Sequence, residues 1–171
     1  MTTKYYQNSR VFHIDGVTPE TWDAASCDIP KTTRRLVVSG DYLDELIIPE
    51  GIASCVCHSL GLRRLIVPDG VEYLWCNNNT LRALELPQSM YICDVSYNPL
   101  RSLTFRGGDV GLVLGRIQMN NVKLTSFHAK VKNNCEIDMD NNPQLVSLSP
   151  EVEYAAFTYP YEGETFREVG I

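Results

Sequence analysis

The sequence lacks long hydrophobic runs, a surplus of positive charge and any phosphate-binding loop motif. Because the apolar runs are short, no membrane-spanning helix is expected. The first ten residues, MTTKYYQNSR, contain no apolar signal-peptide core, which favours a cytoplasmic protein or one exported by a non-classical route. With 15 basic and 21 acidic residues the net charge is −6, which argues against general binding of nucleic acid or of anionic membranes.

The sequence does contain a repeat of about 19 residues, clearest between Leu65 and Leu103. Six units are aligned by their first strand position, which is Leu36, Cys55, Leu74, Cys93, Ile117 and Ile137. These positions are spaced by 19, 19, 19, 24 and 20 residues, and in the first four units leucine recurs seven and ten residues later. A fixed period of this length is typical of a solenoid, in which each unit buries its apolar face against its neighbours.

This pattern resembles the leucine-rich-repeat family over about residues 34–150. The unit L-x-x-L-x-L-P-x-x-V-x-x-L-x-C-x-x-N is similar to the short, proline-containing class of injected bacterial effectors. Segments 49–52 and 68–71 are also similar to surface-antigen repeats, but the Ala-Phe signature of that class is missing. The resemblance implies a mainly β solenoid with a parallel sheet on its concave side and extended or turn-like segments on its convex side. The ubiquitin-ligase domain of some effectors has no room here, so that activity is not carried over.

Residues 1–33 and 151–171 lie outside the six repeats of residues 34–150, and we expect them to cap the open ends of the stack. In the first segment, residues 11–14 predict a strand and residues 18–25 a short α-helix, with Thr18 as its N-cap and Pro19 at its first position. The fifth unit is longer because of residues 106–116, either a tolerated insertion or a binding loop. The aromatic, acidic tail 157–171 either folds back as a cap or docks on a partner.

Four of the six cysteines occupy inward repeat positions, where a free thiol behaves as a small buried hydrophobe. The alternative is a metal site built from Cys55, Cys57 and His58, with Cys76 or Cys93 as a fourth ligand. C-x-C-H lacks the C-x-x-C spacing of zinc sites, and strand alternation turns His58 away from Cys57. A Cys-His nucleophile pair would lack an orienting group. We therefore expect no metal, no cofactor and no catalytic centre.

Asparagine marks the bend of several units. The corresponding positions are Asn79, Asn98 and Asn142, with Asp41 in the first unit. The resemblance implies that these side chains hydrogen-bond to backbone groups of the turn, a chemistry that suits asparagine. Leu60 and Val122 occupy the same position in two other units, so those bends are expected to be held differently.

The residue after each first strand position should point outward, onto the concave face. This row is Val37, Val56, Trp75, Asp94, Gln118 and Asp138. It predicts an apolar patch of Val37, Val56 and Trp75, next to His58 and Asn77, which suits a protein interface because tryptophan is enriched in binding hot spots. The other half of the face is polar and acidic. The alternative is that residues 1–33 fold over the patch.

A column of arginines, Arg63, Arg82 and Arg101, recurs every 19 residues beside the leucines of the bends. It predicts a positive strip that binds an acidic partner through charge-assisted hydrogen bonds. The alternative is a solvated face that is balanced by Asp69 and Glu85.

The leading functional hypothesis is non-catalytic binding of another protein through the concave face around Trp75, as in an effector or adaptor. A second hypothesis is a structural subunit that packs through its edges or tail inside a bacterial or viral assembly. A small enzyme or a metal protein is the third. The partner is expected to be a protein rather than nucleic acid or membrane.

Overall fold

The computed structural model describes residues 2–6, 10–19, 21–22, 28–108, 114–129, 135–148, 156–161 and 164–168. In these ranges the chain forms strands Thr2–Tyr6 (β1), Val11–Val17 (β2), Arg35–Gly40 (β3), Glu45–Ile47 (β4), Ser54–Val56 (β5), Arg64–Ile66 (β6), Tyr73–Trp75 (β7), Ala83–Leu86 (β8), Ile92–Asp94 (β9), Ser102–Phe105 (β10), Arg116–Gln118 (β11), Ser126–Phe127 (β12), Glu136–Asp138 (β13), Ser147–Leu148 (β14), Ala156–Tyr161 (β15) and Glu164–Glu168 (β16).

These strands build a β-solenoid of about six turns. One strand of each turn joins a ten-stranded sheet in the order β1-β2-β3-β5-β7-β9-β11-β13-β15-β16. The pairs from β2 to β15 are parallel, whereas the two end pairs, β1–β2 and β15–β16, are antiparallel. The first strand positions predicted from the repeat are partners in this sheet, as Leu36 with Cys55 and Leu74 with Cys93. The predicted solenoid with a parallel sheet is therefore confirmed.

The other side of each turn carries shorter parallel pairs, β4–β6, β8–β10 and β12–β14. The core lies between these pairs and the long sheet. Every first strand position is fully buried, and so are the leucines seven residues later in the first four units, with at most 2% exposure. Strand alternation explains the burial of the first strand positions, because successive side chains of a strand point to opposite faces.

The bends after β5, β7, β9, β11 and β13 each contain one non-glycine residue in the left-handed region. These residues are Ser59, Asn78, Tyr97, Asn121 and Asn141, with φ between 54° and 59°. The side chain that follows in three of the bends is a buried asparagine. Asn79 Oδ1 accepts hydrogen bonds from the N–H groups of Leu60 and Leu62, at 3.0 and 3.1 Å, and Asn79 Nδ2 donates to the carbonyls of Cys57 and Cys76, both at 2.9 Å. Each such asparagine thus binds its own turn and the preceding one.

Asn98 and Asn142 repeat this arrangement one and three turns further on. The bends at Leu60 and Val122, which have no asparagine of their own, are held by the asparagine of the next unit, because Val122 N–H donates to Asn142 Oδ1 as Leu60 N–H does to Asn79. Asp41, at the corresponding position of the first unit, is exposed.

The first strands of the chain extend the long sheet. β2 lies parallel to β3, with a register shift between Ile14 and Val17. At this shift the backbone of Val17 approaches Gly40 so closely that an added Cβ on Gly40 would lie 2.3 Å from the Val17 carbonyl oxygen and 2.6 Å from its nitrogen. Gly40 is therefore required for the close approach of the two backbones, which joins the first strand pair to the repeats.

The short α-helix predicted at residues 18–25 is not supported. Within the described part of this segment, the N–H groups of Thr21 and Trp22 both donate to the Thr18 carbonyl, at 3.1 and 3.0 Å, and the Thr18 N–H donates to Thr21 Oγ1. These bonds form one hydrogen-bonded turn, in which the Thr18 hydroxyl contacts only the Thr21 hydroxyl among the described residues, at 3.2 Å. Residues 20 and 23–27 lie outside the described residues. The turn buries Trp22.

At the far end of the sheet, β15 and β16 form an antiparallel pair. Residues 109–113 of the predicted loop and 149–155, 162–163 and 169–171 of the C-terminal region lie outside the described residues, so the interpretations of the loop and the tail stay predictions. Within the described ranges, no helix is both long and apolar enough to cross a membrane.

Candidate functional site

The outward side of the ten-stranded sheet, here called the sheet face, brings the predicted apolar row together. Val37, Val56, Trp75 and Asp94 are successive partners in adjacent strands. Adjacent strands lie roughly 4.8 Å apart, so these side chains form a continuous row. All four are half-buried, and His58, at the end of the next row, is exposed. Asn77, in the same row as His58, is half-buried.

Three aromatic rings lie together on this face and form what we call the aromatic cluster: Tyr73, Trp75 and Tyr91. The Tyr73 and Trp75 rings are nearly parallel, with centroids 6.4 Å apart and 12° between their planes. Tyr91 meets Tyr73 edge-on, at 6.0 Å and 81°. The Tyr91 ring rests on Gly115, where an added Cβ would lie 2.6 Å from it, and Tyr91 remains 43% exposed. Such contacts fix the orientation of the rings while leaving part of their surface open to a ligand.

Tyr73 and Tyr91 were not predicted as site residues from the sequence. Tyr73 precedes a first strand position and is two residues from Trp75, so strand alternation, applied to both sides of Leu74, places it on the same face. Tyr91 gives no such signal. Alternation counted back from Cys93 would turn it inward, but the chain bends before β9 and buries Met90 instead.

The alternative in which residues 1–33 cover the apolar patch gains no support from the described part of that segment. β1 and β2 add to the edge of the sheet, and His13 of β2 continues the same outward row as the partner of Val37. Pro19 and Trp22 lie on a different side of the molecule, where they line a cavity of about 300 Å³ with Leu43 and Ile47.

The other half of the sheet face is acidic. Asp138 and Asp140 are two residues apart and half-buried, and one carboxylate oxygen of each is buried without a hydrogen-bond partner among the described residues. Burial, and then the neighbouring charge of Asp138, raises the pKa of the Asp140 carboxyl group. Asp94 accepts a hydrogen bond from the Ser96 N–H at 3.0 Å. The carboxylates of Asp94, Asp138 and Asp140 therefore give this half of the face acidic groups that attract a cationic ligand.

The four cysteines that the repeat places inward are buried, as predicted. Cys55, Cys57, Cys76, Cys93 and Cys135 are free and buried. Burial raises the pKa of the Cys76 and Cys93 thiols well above the ordinary value, and raises that of Cys135 to about 12. The hydrogen bond with Cys55, and then burial, raises the pKa of Cys57. His58 is exposed and so does not join these thiols. Among the described residues, no group of three or more His, Cys, Asp or Glu is placed to hold a metal ion.

This burial leads to a prediction about thiol reactivity. In the native protein at pH 8, Cys57, Cys76 and Cys93 should not react with a thiol reagent within minutes, because the thiolate is the reactive form and burial disfavours it. In denaturant the same residues should react fully. The measurement is a timed thiol titration of native and unfolded protein, with the modified positions identified by mass spectrometry. Rapid modification of Cys76 in the native state would contradict the buried position.

The arginine column lies on the flank of the solenoid, away from the sheet face. Arg63, Arg82 and Arg101 are exposed, and Arg63 Nε lies 3.5 Å from Asp44 Oδ1. Asp69 and Glu85, which were expected to balance the column, instead pair with Arg106, at 2.8 and 3.4 Å.

Comparison with protein-family models, with curated proteins and with solved structures finds no match to this chain.

Proposed function

We propose that the chain is a non-catalytic binding module that holds a partner protein on the sheet face. The observation that carries the proposal is the aromatic cluster, because Tyr73, Trp75 and Tyr91 are not required by the repeat and keep part of their surface open. Aromatic residues that are rigid and partly exposed are enriched among interface hot spots. The partner should present apolar side chains to this cluster and to Val56.

The acidic half adds a requirement on the charge of the partner. Asp94 borders Trp75 in the sheet, and Asp138 and Asp140 lie further along the same face. A partner segment that carries lysine or arginine would supply hydrogen-bond donors to their carboxylates, and complementary charge mainly favours specificity and the association rate. The best ligand is therefore a protein surface with an apolar anchor followed by basic residues.

We also propose that the solenoid is of the leucine-rich-repeat type, with the sheet face as its concave side. The support is the buried asparagine in three of the bends, together with the leucines seven and ten residues after the first strand position in the first four units. In this scheme residues 1–33 and 151–171 cap residues 34–150.

The test is the affinity of the Trp75→Ala variant for a partner purified from the source cells. We expect its dissociation constant to rise about 30-fold, because truncation of a hot-spot tryptophan costs about 2 kcal/mol. Binding should be measured by calorimetry, with circular dichroism to establish that the variant folds. The control is Val146→Ser, since Val146 is 84% exposed outside the sheet face. A folded Trp75→Ala protein with full affinity would refute the proposal.

A second candidate is a structural subunit, which is favoured by the two edge strands of the long sheet. β1 and β16 each pair on one side only within the described residues, and an edge strand can pair with another chain. Light scattering coupled to size-exclusion chromatography separates the candidates: a subunit of an assembly forms oligomers at micromolar concentration, whereas a binding module without its partner stays monomeric.

A further inference from the structure

A shallow groove runs along the flank that carries the arginine column. One part, of about 620 Å³, is lined by Arg63, Thr80, Arg82 and Pro99. A second part, of about 600 Å³, also contains Arg82 and Pro99 and continues to Arg101 and Lys123. Because the two parts share residues, they form one groove, and none of the described residues that line it is acidic. We call it the basic groove.

The positive charges of the basic groove are poorly compensated. Arg63 is paired with Asp44, but Arg82 and Arg101 form no ion pair with any described residue. The Arg101 N–H donates to the Arg82 carbonyl at 2.8 Å, so these two residues occupy adjacent turns, about 4.8 Å apart along the stack. Arginines on adjacent turns carry like charges that repel one another, and an anion bound to both would offset the repulsion.

The nearby carboxylates do not provide this anion. Arg106 Nη1 donates to Asp69 Oδ1, Arg106 Nε lies 3.4 Å from Glu85, and Arg106 Nη2 donates to the Val67 carbonyl. Asp69 and Glu85 are thus held by a different arginine. The groove remains positive on a chain whose net charge is −6.

We propose that the basic groove binds an acidic peptide segment in an extended conformation. Arg63, Arg82, Arg101 and Lys123 belong to four successive units, so the groove spans three steps, or roughly 14 Å, which matches about four extended residues. Pro99 and the aliphatic stems of the arginines provide apolar contacts for such a chain. A long nucleic acid would extend past these four cations and meet the field of the acidic molecule, which disfavours it.

The experiment uses the full chain and a fluorescein-labelled hexaglutamate peptide, with polarisation measured at 20 and 300 mM NaCl. Binding should be present at low salt and should weaken at high salt, because exposed charges are screened. In the Arg82→Gln/Arg101→Gln variant the dissociation constant should rise about tenfold, the combined loss expected for two partly exposed ion pairs. The corresponding hexaglutamine peptide should not bind.

The matched control is Arg35→Gln/Arg64→Gln, which removes the same charge from two exposed arginines outside the groove, and it should bind like the original protein. Trp75→Ala should also bind normally, so this result is independent of the sheet face. Equal binding by both double variants would overturn the proposal. Tighter binding of a twelve-nucleotide thymidine oligonucleotide through Arg82 and Arg101 would also overturn it, because the groove would then be a nucleic-acid site.

Discussion

Replacement of Asn79 by alanine should lower the free energy of unfolding by about 4 kcal/mol. The Asn79 amide satisfies four buried backbone groups: the N–H groups of Leu60 and Leu62 and the carbonyls of Cys57 and Cys76. Each buried group left without a partner costs about 1–3 kcal/mol. Urea denaturation at 25 °C, followed by circular dichroism, measures the change. A loss below about 1 kcal/mol would show that water or a rearranged turn replaces the amide.

Two further variants identify the cause of this loss. Asn77→Ala, on the sheet face, should change stability by less than about 0.5 kcal/mol. Asn79→Asp keeps the acceptor oxygen but replaces the donor, so a carboxylate would face two carbonyl oxygens. Burial and this repulsion raise the pKa of the new carboxyl group above its unfolded value of about 3.9. The loss of unfolding free energy in Asn79→Asp, relative to the original protein, should therefore be smallest at acidic pH and grow as the pH rises towards 7.

The second large effect is expected at Gly40, where alanine should cost about 3 kcal/mol. The φ of Gly40 is not in the left-handed region, so its backbone would accept alanine, and in open space the change would be mildly stabilising. Here the new Cβ collides with the backbone nitrogen and oxygen of Val17, which no side-chain rotation relieves. Such overpacking costs about 1–3 kcal/mol, and more when the backbone must move.

The backbone displacement caused by Gly40→Ala should be local. Amides of β2 should exchange with deuterium faster in Gly40→Ala than in the original protein, whereas those of β7 and β9 should be unchanged, because they lie two or more strands away from β3. Gly70→Ala is the control: its Cβ meets nothing within 4 Å, although its φ of +89° adds a local backbone cost of about 1 kcal/mol. A Gly40→Ala protein as stable as the original would contradict the steric argument.

The buried positions of the solenoid could be predicted because every unit has an apolar residue at the same place in the repeat. Leu74 and Cys93 occupy the same place in successive turns, and any residue of suitable size and polarity fills it. The hydrogen bonds from Asn79 to the preceding turn were harder to predict. Its bond to the Cys57 carbonyl joins residues 22 positions apart, and that contact depends on how the turns stack.

The candidate site was predicted in part. Val56 and Trp75 follow from strand alternation, whereas the exposure of Tyr91 depends on a bend before β9 that the repeat does not encode. The ion pairs on the flank of the solenoid also could not be predicted from the sequence. Arg106 pairs with Asp69, which is 37 residues away in the sequence, because side chains from different turns meet on the surface of a stack.

The asparagine bonds also have a direction, and this has a consequence for synthesis on the ribosome. The backbone N–H of Leu60 donates to Asn79, which emerges from the ribosome 19 residues later. The N–H of Val122 donates to Asn142, which emerges 20 residues later. At typical elongation rates the asparagine that completes these two bends emerges about one to four seconds after the backbone of the bend. Until then, the backbone of such a bend lacks the side chain that satisfies it in the folded protein.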